Sequence, residues 1–138
     1  MNTVFLIGRI VFGGFFFGAG LNHLTHHAAM ARMVAKGGIP MPELAVIGSG
    51  LMILLGGASI LLGWYPRVGC LLIAVFLAVV TPLAHNFWNT TTPAQRADAL
   101  NNFTKNAGLF GGALMAMMVS TPWPWSVEAA VNHKRALP

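Results

Sequence analysis

Six polar residues hold most of the chemistry that this chain can offer. They are spread along the sequence and comprise His23, Glu43, His85, Trp88, Lys105 and Asn106. Two imidazoles, a carboxylate, an ammonium group and an indole N–H suit the polar head of a quinone, a lipid or an anion. The same residue types also form rims that satisfy helix ends and lipid headgroups. We favour the rim, and the ligand site stays open as the alternative.

Three histidines, His23, His26 and His27, follow the first apolar stretch. His23 and His27 are four residues apart, a spacing that puts both on one face of a helix and can hold a metal or a haem. No cysteine or acid lies near them in sequence to complete or support a ligand set. We therefore expect no metal there. We also expect no catalytic residues, because the chain has no nucleophile motif and no acid at mid-membrane depth.

The composition is that of a membrane protein. Of 138 residues, 56% are hydrophobic and only 8% are charged, against about 25% charged in an ordinary soluble domain. The net charge of +5 arises because acids are scarce, three against eight bases. We read this charge as contact with an anionic membrane surface, with the lipid bilayer as a partner and no nucleic acid.

Four apolar runs of spanning length organise the chain into one predicted domain, 1–138. They cover residues 3–24, 43–63, 67–84 and 102–121. Thr92 has the features of an N-cap and precedes Pro93, which predicts a short interfacial helix over 93–101, between the third and fourth spans. The fold predicted is an all-α, antiparallel bundle of four transmembrane helices. In that topology the six polar residues meet as a mouth at one membrane face.

Small residues and aromatic residues indicate how the bundle packs and where it meets water. Close helix packing is expected at small residues spaced by four, namely Gly14, Gly18, Gly108, Gly112, Ala116 and Ser120. Trp64, Trp123 and Trp125 are expected to mark one membrane face, and Trp88 the other. Arg9, two turns into the first run, is expected to extend to the headgroups.

The chain resembles the DoxX family of small four-helix membrane proteins over nearly its whole length. The resemblance rests on GRIVFGGFFFGAGLNHL, on LLGGASILLGWYPR, and on the pair HNFW and FTKNAGLFGG, in that order. The positions it singles out are Arg9, His85, Phe87, Trp88, Phe103, Lys105 and Asn106. The chain departs from the family pattern at Ile53, where many members carry an acid.

The resemblance implies a redox neighbourhood, because the family takes its name from subunits of a quinone-linked thiosulfate oxidation system. We expect a small non-catalytic accessory subunit that packs against a larger redox or energy-converting membrane complex. The alternative is a quinone-linked oxidoreductase component that uses the polar mouth, with quinone or lipid as its ligand. The expected location is the cytoplasmic membrane of a bacterium. Termini in the cytoplasm follow from the resemblance and the tight turn at Arg67, since Lys and Arg divide equally between the two sides.

We also expect His85, Trp88 and Lys105 to form a structural clamp that pins the polar hairpin to the bundle. Trp88 suits headgroup depth, with its ring in lipid and its N–H toward water. Lys105 is expected at the start of the fourth helix, where the helix dipole disfavours a cation. Such a lysine would need a nearby acceptor.

Overall fold

A computed structural model gives the fold of the protein and describes residues 1–135. The described chain is all-helical and contains no strand. In chain order the helices are α1 (Asn2–Thr25), α2 (His27–Lys36), α3 (Pro42–Leu62), α4 (Pro66–Ala84), a 3-10 turn (Phe87–Asn89), α5 (Pro93–Met117) and α6 (Val127–Arg135). The predicted all-α fold class is confirmed.

Within residues 1–135, three segments are long and apolar enough to cross a membrane. They are Asn2–Thr25, Pro42–Leu62 and Pro66–Asn89, the last consisting of α4 and the turn that follows it. Runs of this length have few alternatives to a helix in lipid, because every backbone N–H and C=O must be satisfied within the segment. A fourth span is not among these segments, since Arg96, Asp98 and Lys105 lie in the first half of α5.

The predicted interfacial helix 93–101 and the predicted span 102–121 are wrong as separate elements, because α5 is one continuous helix. Its start is as predicted: the Thr92 hydroxyl accepts a hydrogen bond from the Gln95 N–H at 3.3 Å, and Pro93 is the first helical residue. No proline interrupts the helix after Pro93, so nothing local ends it at residue 101. The helix ends at Met117 rather than at residue 121.

The chain bends at His26, where α1 ends and α2 begins. His26 has φ −113° and ψ 21° and therefore separates the two helices. The His26 N–H donates to the Asn22 carbonyl at 3.0 Å, which satisfies one of the carbonyls released at the helix end. The Thr25 hydroxyl donates to the Leu21 carbonyl at 2.9 Å. His23 and His27 therefore lie on different helices, and the single helical face expected for them does not form.

Glycines set the close approach of α1 and α3, although they differ from those predicted. A Cβ atom at Gly13 would lie 2.9 Å from the Leu61 N atom, and one at Gly20 would lie 2.6 Å from the Leu54 N atom. At Gly57 a Cβ would collide with the backbone of Phe17. The two backbones are therefore in direct contact, as small residues permit in lipid.

Only some of the small residues predicted to pack between helices contact another helix of the described chain. A Cβ at Gly14, Gly18 or Gly108 would meet no atom of the described chain within 4 Å, whereas one at Gly112 would lie 3.5 Å from Phe12. Ala116 packs against the core, and Ser120 is exposed. Contact of Gly14, Gly18 and Gly108 with another helix stays a prediction.

The core joins α1, α3, α4, α5 and the segment after α5. Its buried members include Phe16, Ile53, Ile73, Leu77, Ala113 and Trp123. Ile53 is 0% exposed, so the position where the family pattern has an acid is occupied here by an apolar side chain in full contact with its neighbours. In lipid such packing is favoured by close van der Waals contact between the helices, because the acyl chains already keep these side chains out of water.

Candidate functional site

The bundle has two ends that carry different polar groups. We call the end with Thr25, Pro42, Ala84 and Pro93 the hairpin end, and the end with Asn2, Leu62, Pro66 and Met117 the termini end. Four of the six predicted mouth residues lie at the hairpin end, namely His23, Glu43, His85 and Trp88. Lys105 and Asn106 lie in the middle of α5.

His23 lies between three helices at the hairpin end. Its Nδ1 is 3.3 Å from the Ser49 hydroxyl of α3, and its ring meets the Phe76 ring of α4 edge-on, with centroids 6.0 Å apart. A Cβ at Gly50 would lie 2.9 Å from the Cβ of His23, so the imidazole stem is tightly packed. The Ser49 hydroxyl donates to the Val46 carbonyl at 3.0 Å. His23 is therefore packed against α3 and α4 and shares a hydrogen bond with the Ser49 hydroxyl.

His85 and Trp88 lie where the chain turns from α4 into α5. His85 follows the last residue of α4, and its backbone N–H donates to the Thr81 carbonyl at 3.0 Å. The Trp88 ring contacts Phe87 and Phe103, with centroid separations of 5.0 and 6.0 Å, and Phe87 contacts Phe103 at 5.4 Å. These three rings, the aromatic trio, attach the turn to α5 by edge-to-face contacts.

Lys105 lies in the middle of α5 and not at the start of a helix. The helix dipole therefore does not disfavour the Lys105 ammonium group, because the dipole acts only within the first and last turns. Its ammonium group donates to the Asn102 side-chain oxygen at 2.8 Å, one turn earlier on the same helix. Lys105 is also near enough to His85 for its charge to act on the imidazole. The neighbouring Asn106 is half-buried.

Glu43 lies apart from the other mouth residues. It is exposed in the first turn of α3 and lines a shallow surface depression of about 540 Å³ with Met41, Leu44 and Ile47. No described contact joins this carboxylate to His85, Trp88 or Lys105. The structure therefore brings His85 close to Lys105 and Trp88 onto Phe103, and leaves His23 and Glu43 in separate surroundings.

His26 and His27 form hydrogen bonds with groups close to them in sequence. His26 Nδ1 lies 2.9 Å from the Thr25 hydroxyl, and His27 Nδ1 lies 2.9 Å from the Leu24 carbonyl. Within residues 1–135, no three His, Cys, Asp or Glu side chains are grouped so that they could hold a metal ion. The expectation that His23, His26 and His27 bind no structural metal stays a prediction.

Arg9, which was expected to extend to the headgroups, is buried within the protein. The residue is 6% exposed, and its guanidinium ends on backbone carbonyls of the same chain. One terminal nitrogen donates to the Pro124 carbonyl at 3.1 Å, and the other donates to the Trp125 carbonyl at 2.9 Å. The guanidinium thus joins α1 to a segment 116 residues away in sequence. We call this arrangement the carbonyl clamp.

The segment after α5 is built around the carbonyl clamp. Trp123 is 1% exposed and meets the Phe5 ring at 5.1 Å, nearly perpendicular, so it belongs to the core and not to the predicted aromatic belt. Trp64 and Trp125 are exposed, as residues of a belt would be. The Ser126 hydroxyl accepts from the Ala129 N–H at 3.0 Å and so caps α6.

One feature of the sequence points to the carbonyl clamp. Pro122 and Pro124 end helical structure and leave neighbouring carbonyls without helical donors. A lone arginine in an apolar run needs such acceptors, because the one acid in the other apolar runs, Glu43, lies at the hairpin end. The guanidinium lacks acceptors and these carbonyls lack donors, so the two groups can pair, although 115 residues separate Arg9 from Pro124.

Together these observations define a small, all-helical integral membrane protein whose C-terminal segment is held against its first helix by a buried arginine. The chain belongs to the DoxX family: the model of the family described as DoxX matches residues 4–86, which is more than half of the chain. The predicted family is confirmed, and the match covers residues 4–86, whereas the predicted resemblance at FTKNAGLFGG lies outside this range. The matched range contains Arg9, His23, Glu43 and His85, and ends before Trp88. No curated protein and no solved structure matches the chain.

Proposed function

We propose that this DoxX-family protein is a non-catalytic accessory subunit that packs against a larger membrane complex. The observation that carries the proposal is the outer face of α1. Gly14 and Gly18 are one turn apart and meet no atom of the described chain within 4 Å, while Gly13 and Gly20 are already used against α3. The exposed side chains of Ile7 and Val11 continue this face. A helix with small residues one turn apart suits close approach of a second helix in lipid.

The proposed setting is a redox or energy-converting complex in the cytoplasmic membrane of a bacterium, with the termini in the cytoplasm. Family membership supports the redox setting, since the family is named after subunits of a quinone-linked system. The proposed topology has four crossings, with α5 as the fourth. It is supported by the carbonyl clamp, since Pro124 and Trp125 lie beside Arg9 at the termini end although α5 begins at the hairpin end.

Gentle extraction of the tagged protein from native membranes, followed by identification of the chains that co-purify, tests the accessory role. Replacing Gly14 and Gly18 by Leu is expected to abolish co-purification. The matched control is Ala78→Leu, at an exposed position of α4. The glycine variants should still fold, because both positions are open and leucine favours a helix more than glycine does. Co-purification that survives Gly14→Leu together with Gly18→Leu would reject this face as the subunit contact.

The alternative function is a quinone-linked oxidoreductase component. The observation in its favour is the aromatic trio beside His85 and Lys105, which combines ring surfaces with two nitrogen donors. Solvent extraction and chromatography of the purified protein would reveal a bound quinone. Loss of that quinone in His85→Ala, with retention in His26→Ala, would support the alternative against the accessory role.

A further inference from the structure

A shallow groove of about 350 Å³ lies at the termini end, between α4 and the end of α5. Its lining consists of Arg67, Val68, Leu71, Met117 and Met118. Four of these side chains are apolar. Three of them are at least half exposed, namely Val68 at 53%, Leu71 at 50% and Met118 at 76%. The groove is therefore an apolar channel along two helices with one cation at its edge.

Arg67 has no hydrogen-bond or ion-pair partner among the residues that the structure describes, and it is exposed. It is the second residue of α4, where the helix dipole adds positive potential to that of the guanidinium. Both contributions favour an anion at this position. Their combination with an apolar channel distinguishes the groove from an ordinary helix start.

The remaining charges at the termini end do not neutralise this potential. Glu43 begins α3 and Asp98 lies early in α5, so both are at the hairpin end. The third acid, Glu128, begins α6 at the termini end, and its Oε2 atom is buried. The groove therefore carries an unneutralised positive charge among the residues described.

Exposed aromatic residues near the groove indicate its level in the bilayer. Trp64 and Tyr65 directly precede α4 and are 45% and 66% exposed, and Trp125 is 60% exposed. Exposed Trp and Tyr residues concentrate at the level of lipid headgroups. The end of the groove that carries Arg67 thus lies at headgroup level, and Leu71, one turn further along α4, lies deeper, at the level of the acyl chains.

We infer that this groove binds an anionic diacyl phospholipid. The phosphate of the headgroup pairs with Arg67, and one acyl chain lies along Val68, Leu71 and Met117. The site is distinct from the polar residues of the hairpin end and does not depend on the accessory role proposed above.

The test compares phosphatidylglycerol with phosphatidylcholine of the same acyl chains, by native mass spectrometry of the full-length protein in neutral detergent. Wild type is expected to bind phosphatidylglycerol in preference. Arg67→Gln should weaken phosphatidylglycerol binding about fivefold, as expected for one basic residue at an anionic surface, and should weaken phosphatidylcholine binding less, because the choline of that lipid already offsets the charge of its phosphate. Leu71→Trp, which fills the groove, should weaken binding of both lipids.

Arg32→Gln is the matched control, since Arg32 is exposed on α2 at the other end of the bundle. Arg67→Lys keeps the charge and should keep the preference, which guards against a folding defect in Arg67→Gln. An equal loss in Arg32→Gln, or wild-type binding by Arg67→Gln, overturns the site. A thermal shift with inorganic phosphate equal to that with phosphatidylglycerol also overturns it, because the ligand would then be a free anion.

Discussion

Arg9 illustrates how an apolar helix accommodates a cation without an acid beside it. Taking a guanidinium out of water costs several kcal/mol unless its donors are satisfied. Here two of its donors reach backbone carbonyls at 3.1 and 2.9 Å, and Trp125, one of the acceptor residues, has a left-handed backbone with φ 50°. A left-handed conformation costs roughly 1–2 kcal/mol for an L-residue. The hydrogen bond from Arg9 therefore offsets strain in the segment that it holds.

Replacing Arg9 by Gln should release the segment after α5. The shorter amide cannot reach both carbonyls, so we expect a loss of about 2–4 kcal/mol in the free energy of unfolding, since hydrogen bonds from charged groups contribute about 1.5–3 kcal/mol each. Unfolding in mixed detergent micelles measures the loss. Limited proteolysis should show faster cleavage after Trp123. Arg32→Gln is the control, and equal stability of the two variants would contradict the carbonyl clamp.

Gly63 makes a second prediction at the scale of one residue. It ends α3 with φ 62°, and an added Cβ would lie 2.5 Å from the Ser126 Cβ and 2.9 Å from Arg9 Nη1. Gly63→Ala combines a left-handed alanine with overpacking, so we expect a loss of about 2–5 kcal/mol. Gly38→Ala is a matched control, because Gly38 has φ 75° and open space around it.

The Gly38→Ala variant should lose only the backbone cost of about 1–2 kcal/mol. The difference in the free energy of unfolding between the two alanine variants thus measures the cost of overpacking Ser126 and Arg9 against the end of α3. Equal losses in the same micelle unfolding experiment would show that the segment after α5 does not pack there.

The contact of α1 with α3 is the strongest feature at the scale of the helices. Gly57→Ala forces a methyl group against the Phe17 backbone, and overpacking of this kind costs about 1–3 kcal/mol. Gly14→Ala, on a face of α1 that does not contact α3, should be neutral or gain up to about 1 kcal/mol from helix propensity. Detergent unfolding of both variants gives the comparison. A Gly14→Ala variant that is the less stable of the two would reverse the assignment of the packing face.

Hydropathy alone located three helices well. The predicted runs 3–24, 43–63 and 67–84 lie within one residue of Asn2–Thr25, Pro42–Leu62 and Pro66–Ala84. The break at His26 has no Gly or Pro to indicate it. It accompanies the packing of α2 on α3, with Ala31 buried. Periodicity within a sequence does not contain such a tertiary contact.

Positions around the helix axis were harder to predict than positions along it. Neighbouring residues on an α-helix differ by about 100°, so Gly13 contacts α3 while Gly14 faces outward. The antiparallel order predicted that Trp88 and Lys105 would lie near His85, since it depends only on which helix ends meet. Pro122 and Pro124 indicate free carbonyls near the end of the chain, but the sequence does not pair them with Arg9, because the acceptors lie 115 and 116 residues away.

The segment after α5 packs back against α1, so the last part of the chain contacts the first. Helices α1, α3, α4 and α5 contact one another in chain order, and the Phe12 side chain reaches Gly112 of α5. Trp123 then enters the core beside Phe5. The chain thus returns to the helix with which it began, and α1 is held by α3 on one side and by the segment after α5 on another.

This closure predicts how often the chain crosses the membrane. Helix α5 has 25 residues, or about 37 Å, which exceeds the roughly 30 Å of hydrocarbon. It begins at the hairpin end, and the segment after it contacts Arg9 at the termini end. We therefore expect Asn2 and Asn132 on one side of the membrane and Gln95 on the other, in spite of the charges in the first half of α5.

Single cysteines at Asn2, Gln95 and Asn132 test this arrangement in a Cys70→Ala background, with an impermeant maleimide applied before and after permeabilisation. All three positions are exposed, and Cys70 is 0% exposed. Asn2 and Asn132 should label under the same condition and Gln95 under the opposite one. With only three crossings, Gln95 and Asn132 would label together, opposite Asn2. That pattern would leave Arg9 and Trp125 on different sides of the membrane, and the carbonyl clamp could not form.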